Sequence, residues 1–398
     1  MKKIICLALT LTLCLGLLPM ALAETNVEKA LKEAAAMSWD ELLVKAKEEI
    51  GSEKLHVYSN ASADFCTNFT ALTGIDTEFT LLNDVPMYER LEEELSKNAY
   101  GADTVMIQDS YSLQTRLIDE ELVLNYFPEY LKDKIGEDDQ NPAATIYLNK
   151  LFLYNNTDGR TGFIYNVWQL AGAEGDKDHI TGCSFKPAST EQVNMNFLVM
   201  LTTDEWCGKL EKAYESYYGK PWENDGTYPN IGYKWIKEFL ANSTSHSSDG
   251  SVIKSVASST VAGTLCLANY CKFKSLSVEN MGIGTESRAN VTVAQYEGNG
   301  IEGFAGFLFP MYAQVPFNAK YPYASALMVN YMLSAECFDT AWGGRPGYYS
   351  SNADSSYAKD ANDEPLSYWK QCLVNEDCDL IAQNYASVFK FVISLEAN

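Results

Sequence analysis

Apolar residues return along the chain at two periods, and their order outlines alternating helices and strands. Ser38-Trp39-Asp40-Glu41 has the form of a capping box; Trp39, Leu43, Ala46 and Ile50 follow at helical spacing, with Gly51 as the stop. Leu55-His56-Val57-Tyr58 is a short strand that runs into the polar turn Ser59-Asn60-Ala61-Ser62. A helix carrying Phe65, Phe69 and Leu72 ends at Gly74, and Ile75 to Leu82 is a second strand. Asp84 is expected to cap the next helix, with Pro86 in its first turn and Tyr88, Leu91 and Leu95 on one face. Ala102 to Ile107 is then a buried strand that stops at Gln108-Asp109-Ser110. This succession predicts a parallel sheet covered by helices, where ligands lie beyond the carboxyl ends of the strands. The turns at Ser59 to Ser62 and at Gln108 to Ser110 are thereby nominated.

Farther on, Ile146 to Tyr154 and Gly162 to Asn166 are strand-like runs. From there to about residue 300 tyrosine and tryptophan are dense and polar loops intervene, which marks a second lobe. Gly303 to Val315 is again strand-like, and Ala324 to Leu333 is a helix. A loop from Trp342 to Asp354 precedes a closing helix through Ile381, Tyr385, Val388 and Val392.

The amino terminus adds a destination. Lys2 and Lys3, the uncharged apolar run Ile4 to Leu18 and the small-x-small site Ala21-Leu22-Ala23 predict a cleavable signal peptide over residues 1–23. The residue before Cys14 is Leu13, where a lipobox needs a small side chain, so no lipid anchor is expected and a periplasmic location is. Without the signal, 28 Lys and Arg face 53 Asp and Glu, a balance of 28 − 53 = −25. Nucleic acid and anionic membrane surfaces would be repelled. Eight cysteines remain, an even number that in an exported chain predicts disulfides. Short spacing favours Cys266 with Cys271 and Cys372 with Cys378, leaving Cys183 with Cys207 and Cys66 with Cys337.

Catalytic patterns are scarce. The three histidines, His56, His179 and His246, stand in no metalloprotease frame, and there is no P-loop or nucleophile elbow. Gly298 to Gly303 matches G-x-G-x-x-G by letter but precedes a strand instead of opening a helix, so it is no dinucleotide site. Asp360 to Glu364 has the acid density of a calcium loop but lacks its glycine, Pro365 standing there, and is expected to be a solvated loop. No cofactor, metal or catalytic residue is expected.

Several stretches together resemble a known family. Lys54 to Ser59, Phe69 to Ile75, Tyr88 to Leu91 and Gly101 to Val105, with Tyr165-Asn166, Tyr233 to Trp235, Ser248 to Gly250, Gly303-Phe304, Pro310 to Tyr312 and Gly347 to Ser350, come in the order found in extracellular solute-binding proteins of ABC importers. The resemblance is to the two-lobed class that includes ferric-iron, polyamine, thiamine and sugar-phosphate binders. It implies an α/β, type II periplasmic-binding-protein-like fold, each lobe a mixed sheet flanked by helices, joined by crossover hinge strands. Lobe one would comprise residues 24–150 and 304–341, lobe two residues 151–303 and 342–398, which puts each of the two leftover cysteine pairs within one lobe.

The implied function is capture of a small polar or charged solute in the interlobe cleft and its delivery to a membrane permease, by a monomer without chemistry. Candidate ligand-binding residues are Ser59, Asn60, Ser62, Asp109 and Ser110 from lobe one, Tyr165 and Asn166 near the first crossing, and Tyr312, Trp342 and Tyr348 near the second. Tyr348-Tyr349 resembles the paired phenolates of ferric-binding members in residue type, but it follows the second crossing where theirs precede it. A secreted enzyme and a ligand sensor on the same scaffold are the alternatives.

Overall fold

The computed structural model describes residues 25–173, 175–274, 290–343, 345–355 and 363–397. The expected signal peptide and residues 360–362 of the acidic loop lie outside them. Two helices open the described chain, α1 (Asn26–Ala35) and α2 (Trp39–Ile50). Ser38 and Glu41 form the predicted capping box on α2, Gly51 closes it at φ +59°, and Leu42, Ala46 and Ile50 are its buried stripe.

An alternation follows: β1 (Leu55–Ser59), α3 (Asp64–Thr73), β2 (Thr77–Leu81), α4 (Asp84–Ser96) and β3 (Thr104–Ile107). After the long strand β4 (Ala144–Asn155) come β5 (Cys183–Phe185), α5 (Gln192–Met200), α6 (Asp204–Tyr218), α7 (Ile231–Asn242), β6 (Ser243–Ser245), α8 (Asp249–Ala257), β7 (Leu265–Asn269) and α9 (Tyr270–Lys274). The second long strand β8 (Gly306–Pro316) leads to α10 (Pro322–Met332), α11 (Ala335–Ala341), β9 (Tyr348–Ser350), α12 (Leu366–Cys372), β10 (Val374–Asn375) and α13 (Cys378–Glu396). The run Gly162 to Asn166, read as a strand, is irregular backbone ending in a single bridge from Asn166 to Glu302. Positive-φ Gly162 opens it, and Asn166 turns it into a short helical turn that its own side chain caps.

One mixed sheet has the order β2-β1-β3-β8-β4-β7-β5-β6. The antiparallel pair β4 and β8 is its spine, and every residue of both strands is buried. Parallel β2, β1 and β3 form one wing, which joins the spine where β3 pairs with Tyr312 to Gln314. The other wing, β7, β5 and β6, joins through Lys150 to Tyr154 of β4. Both wings therefore aim their carboxyl ends at the middle of the spine, one carried by β8 and the other by β4. Side chains alternate across the spine, so Ile146, Leu148 and Phe152 enter one apolar cluster while Tyr147, Leu151 and Leu153 enter the other.

No predicted cysteine pair is bonded: all eight cysteines described are free. For Cys266 and Cys271 the spacing argument fails because strand alternation and a strand-to-helix change carry these close sequence neighbours apart. Cys266 in β7 faces one apolar cluster and Cys271 in α9 the other.

Candidate functional site

The carboxyl ends of β1 and β3 are tied together by a carboxylate. Asp84 does not cap α4, since Asn83 holds that position; its oxygens instead accept from Asn60 Nδ2 at 2.5 Å and Gln108 Nε2 at 2.6 Å. Burial pushes the Asp84 carboxyl above its ordinary value, the charge of Glu191 across the cleft adds to this, and Lys186 works against it. These couplings show the two wings facing each other at this point.

The opposing wall is built around Lys150. This residue of the spine is 1% exposed, and its Nζ lies 2.8 Å from Asn194 Oδ1, 3.1 Å from Asp249 Oδ1 and 3.3 Å from Glu191 Oε1. Lys272 reaches the other oxygen of Asp249 at 3.0 Å, and Lys186 pairs with Glu191. Burial opposes the charge on Glu191 and Asp249, yet the lysines outweigh it and hold both carboxyls below the usual range. Three lysines thus face three carboxylates, counting Asp84. Hydrogen-bond donors and acceptors of both charges suit a small polar or charged solute.

A second contact between the wings lies beside the first. Asp109, at φ +80° and 2% exposed, accepts from the Ser112 amide and from Asn196 Nδ2 at 3.1 Å. Ser110 Oγ lies 2.8 Å from the Tyr312 hydroxyl and donates to Glu376 Oε2 at 2.5 Å. Tyr111 stacks on Tyr385 of α13. A non-glycine residue at this positive φ sits in a sparsely populated backbone region and stores strain beside the contact.

Asn60, Asp109, Ser110 and Tyr312 therefore lie where the wings meet. Tyr348 lies at the edge of the spine: it pairs there with Leu148 and packs against Cys271. Ser59 and Ser62 spend their hydroxyls on turn amides, and Asn166 caps the turn at Val167. Tyr165 is exposed and bonded to Asp178, while Trp342 is buried against Phe65. Sequence reasoning nominated the turn that holds Gln108 but missed Lys150, Lys186, Glu191 and Asp249 and read Asp84 as a helix cap. One signal was present: Lys150 is the one charged residue in a mostly apolar strand, and a charge there needs partners.

No protein-family model matches the chain, and no curated protein sequence does. Solved structures do. Iron-bound HitA from Pseudomonas aeruginosa is 15% identical and superposes with a TM-score of 0.61 over 86% of this chain and 99% of its own. The type II periplasmic-binding-protein fold is shared. A ferric binding protein from Campylobacter jejuni matches at 16% identity and a TM-score of 0.61, covering 86% of this chain and 99% of that one. The Atu4243-GABA receptor matches at 15% and 0.57, over 86% and 98%. Among the described residues no three His, Cys, Asp or Glu side chains are placed to hold a metal ion. Nor is any helix among them long and apolar enough to cross a membrane.

Proposed function

We propose that the chain is the extracytoplasmic solute-binding component of an ABC importer, holding a small polar or charged solute between the wings and passing it to a permease. The carrying observation is the facing of Asp84, with its two amide donors, against the Lys150, Lys186 and Glu191 cluster, at the strand ends where this fold binds ligands. The lobes of this reading are residues 24–150 with 304–341 and residues 151–303 with 342–398. The reading includes export by residues 1–23 and a periplasmic location.

Ferric iron is not the favoured cargo. The Tyr349 hydroxyl is bound to Asn149 and Asp363, and burial raises both the Tyr348 and Tyr349 phenols, which disfavours the phenolate. Among the described residues, the groups acting on Asp84 are the Asn60 and Gln108 amides, Glu191 and Lys186, not imidazoles.

The test is a thermal-shift screen of the mature protein against amino acids, sugar phosphates, amines and ferric citrate, followed by calorimetry on any positive. A ligand confined to the folded state raises the midpoint. The expected result is stabilisation by a charged organic solute that Asp84→Asn and Lys186→Gln both weaken. Stabilisation by ferric citrate, unaffected by either variant, would refute the assignment.

A further inference from the structure

The contact between the wings converges on one tripeptide at the exit of β3. Asn196 of α5 donates to Asp109 at 3.1 Å, Glu376 accepts from Ser110 at 2.5 Å, and Tyr385 of α13 stacks on Tyr111 with the ring centroids 3.5 Å apart. Helix α13 packs along α5 and α7, which places Asn196 and Tyr385 on the side of the β7, β5 and β6 wing. Asp109 is 2% exposed and Asn196 wholly buried, so part of the cover over this carboxyl comes from across the contact.

The charges around Asp109 are unfavourable to it. Asp84 of α4 and the part-buried Glu376 both face it with like charge. Arg116 acts on it from its own wing, but that guanidinium is paired with Glu92 through two bonds of 2.6 Å. The phenols of Tyr88, whose hydroxyl donates to the Asp109 carbonyl, and of Tyr385 are the other titratable groups acting there among the described residues. Asn196 bonds both Asp109 and Glu376, and an amide has no charge with which to neutralise either. Burial drives the Asp109 carboxyl up to about 6, against the pull of its bonds from Ser112 and Asn196. Separating the wings would return water to the carboxylate and restore an ordinary value of about 4.

We propose that the Asp109 contact is a pH-sensitive clasp: the protonated carboxyl keeps the wings together, and the charged one favours their separation. The proton is held more tightly with the wings joined, so the joined form is favoured below about pH 6 and loses ground as pH rises through that value. Titration at about 6 when joined and about 4 when hydrated moves the separated-to-joined ratio about tenfold toward separation between about pH 5 and pH 7.5. No solute takes part, so the clasp stands or falls apart from the ligand proposed for the cleft.

The test is small-angle X-ray scattering of the ligand-free mature protein at about pH 5 and pH 7.5 and constant salt, with hydrogen exchange over residues 109–112 corrected for intrinsic rates. At the higher pH the wild type should show a larger radius of gyration and faster exchange. Asp109→Asn, neutral at both, should show no difference. Asn196→Asp sets a second carboxyl against the first and should widen the difference, which keeps the test standing should Asp109→Asn misfold; circular dichroism checks each variant. A wild type indifferent to pH, a difference that persists undiminished in a folded Asp109→Asn, or one that Asn196→Asp does not widen would each overturn the clasp.

Discussion

Lys150 shows how one residue can hold a site and a fold together. An ammonium with 1% exposure survives in the spine because Glu191, Asp249 and Asn194 surround it. Lys150→Met would leave two buried carboxylates without that partner, and a loss on the order of 3–5 kcal/mol is expected in urea unfolding. Other carboxyls respond to burial in the opposite sense. Glu376 is raised to about 8, Glu49 to about 7 and Asp109 to about 6, each chiefly by burial. Their ordinary values lie near 4, so between about pH 4 and pH 8 the folded protein binds more protons than the unfolded chain. The stability they contribute is full below about pH 4 and drains away as pH rises through 6 to 8. Asp249 and Glu191, held low, lose theirs as pH falls through the carboxylate range. Urea midpoints should peak at about pH 5 and fall toward about pH 8, and Glu376→Gln should flatten the fall. A midpoint at the alkaline end as high as at the peak would contradict this ordering.

At the scale of elements, helix ends and strand ends do the positioning. Glu49, near the end of α2, accepts from the amides of Tyr323 and Ala324 at 2.9 and 3.0 Å and so closes the start of α10. Glu49→Ala should cost about 1–3 kcal/mol in denaturant unfolding, because both amides are left without the partner; Glu49→Gln, which keeps an acceptor, should cost less. Helix α7 approaches so closely that a Cβ on Gly232 would lie 2.2 Å from the Leu201 carbonyl oxygen. Gly232→Ala is therefore expected to lower the thermal midpoint, an overpacking cost of about 1–3 kcal/mol. Element periods were legible where one face is buried, as in α2 and in α13 with Ile381, Tyr385, Val388 and Val392 inward. Asp84 was misassigned because an acid before a helical run satisfies the capping pattern equally well; the competing amides of Asn60 and Gln108 come from distant turns.

For the whole molecule, the contact of Asp109, Ser110 and Tyr111 with Asn196, Glu376 and Tyr385 fastens one wing to the other. Tyr385→Ala removes the stacked ring and should raise the radius of gyration of the ligand-free protein in small-angle X-ray scattering, by favouring separated wings. An unchanged scattering curve would show that the stack does not hold the wings. The scattering readout is distinct from solute affinity, so a failure of the proposed function would not obscure it.

The sequence by itself determined the strand-helix alternation, the two long apolar strands, most helix stops and the acidic charge, because these follow from local periodicity, glycine geometry and composition. The order of motifs was enough to suggest the type II fold. The tertiary structure alone decided which polar residues meet. Asp84 and Lys186 lie 102 residues apart in the chain, and Ser110 and Glu376 are separated by 266. Their partnership comes from sheet order and from the wings closing on one spine, which no local pattern encodes. For the same reason the cysteine spacings misled. Side-chain alternation across β7 and the turn into α9 place Cys266 and Cys271 against different cores, however near they stand in sequence.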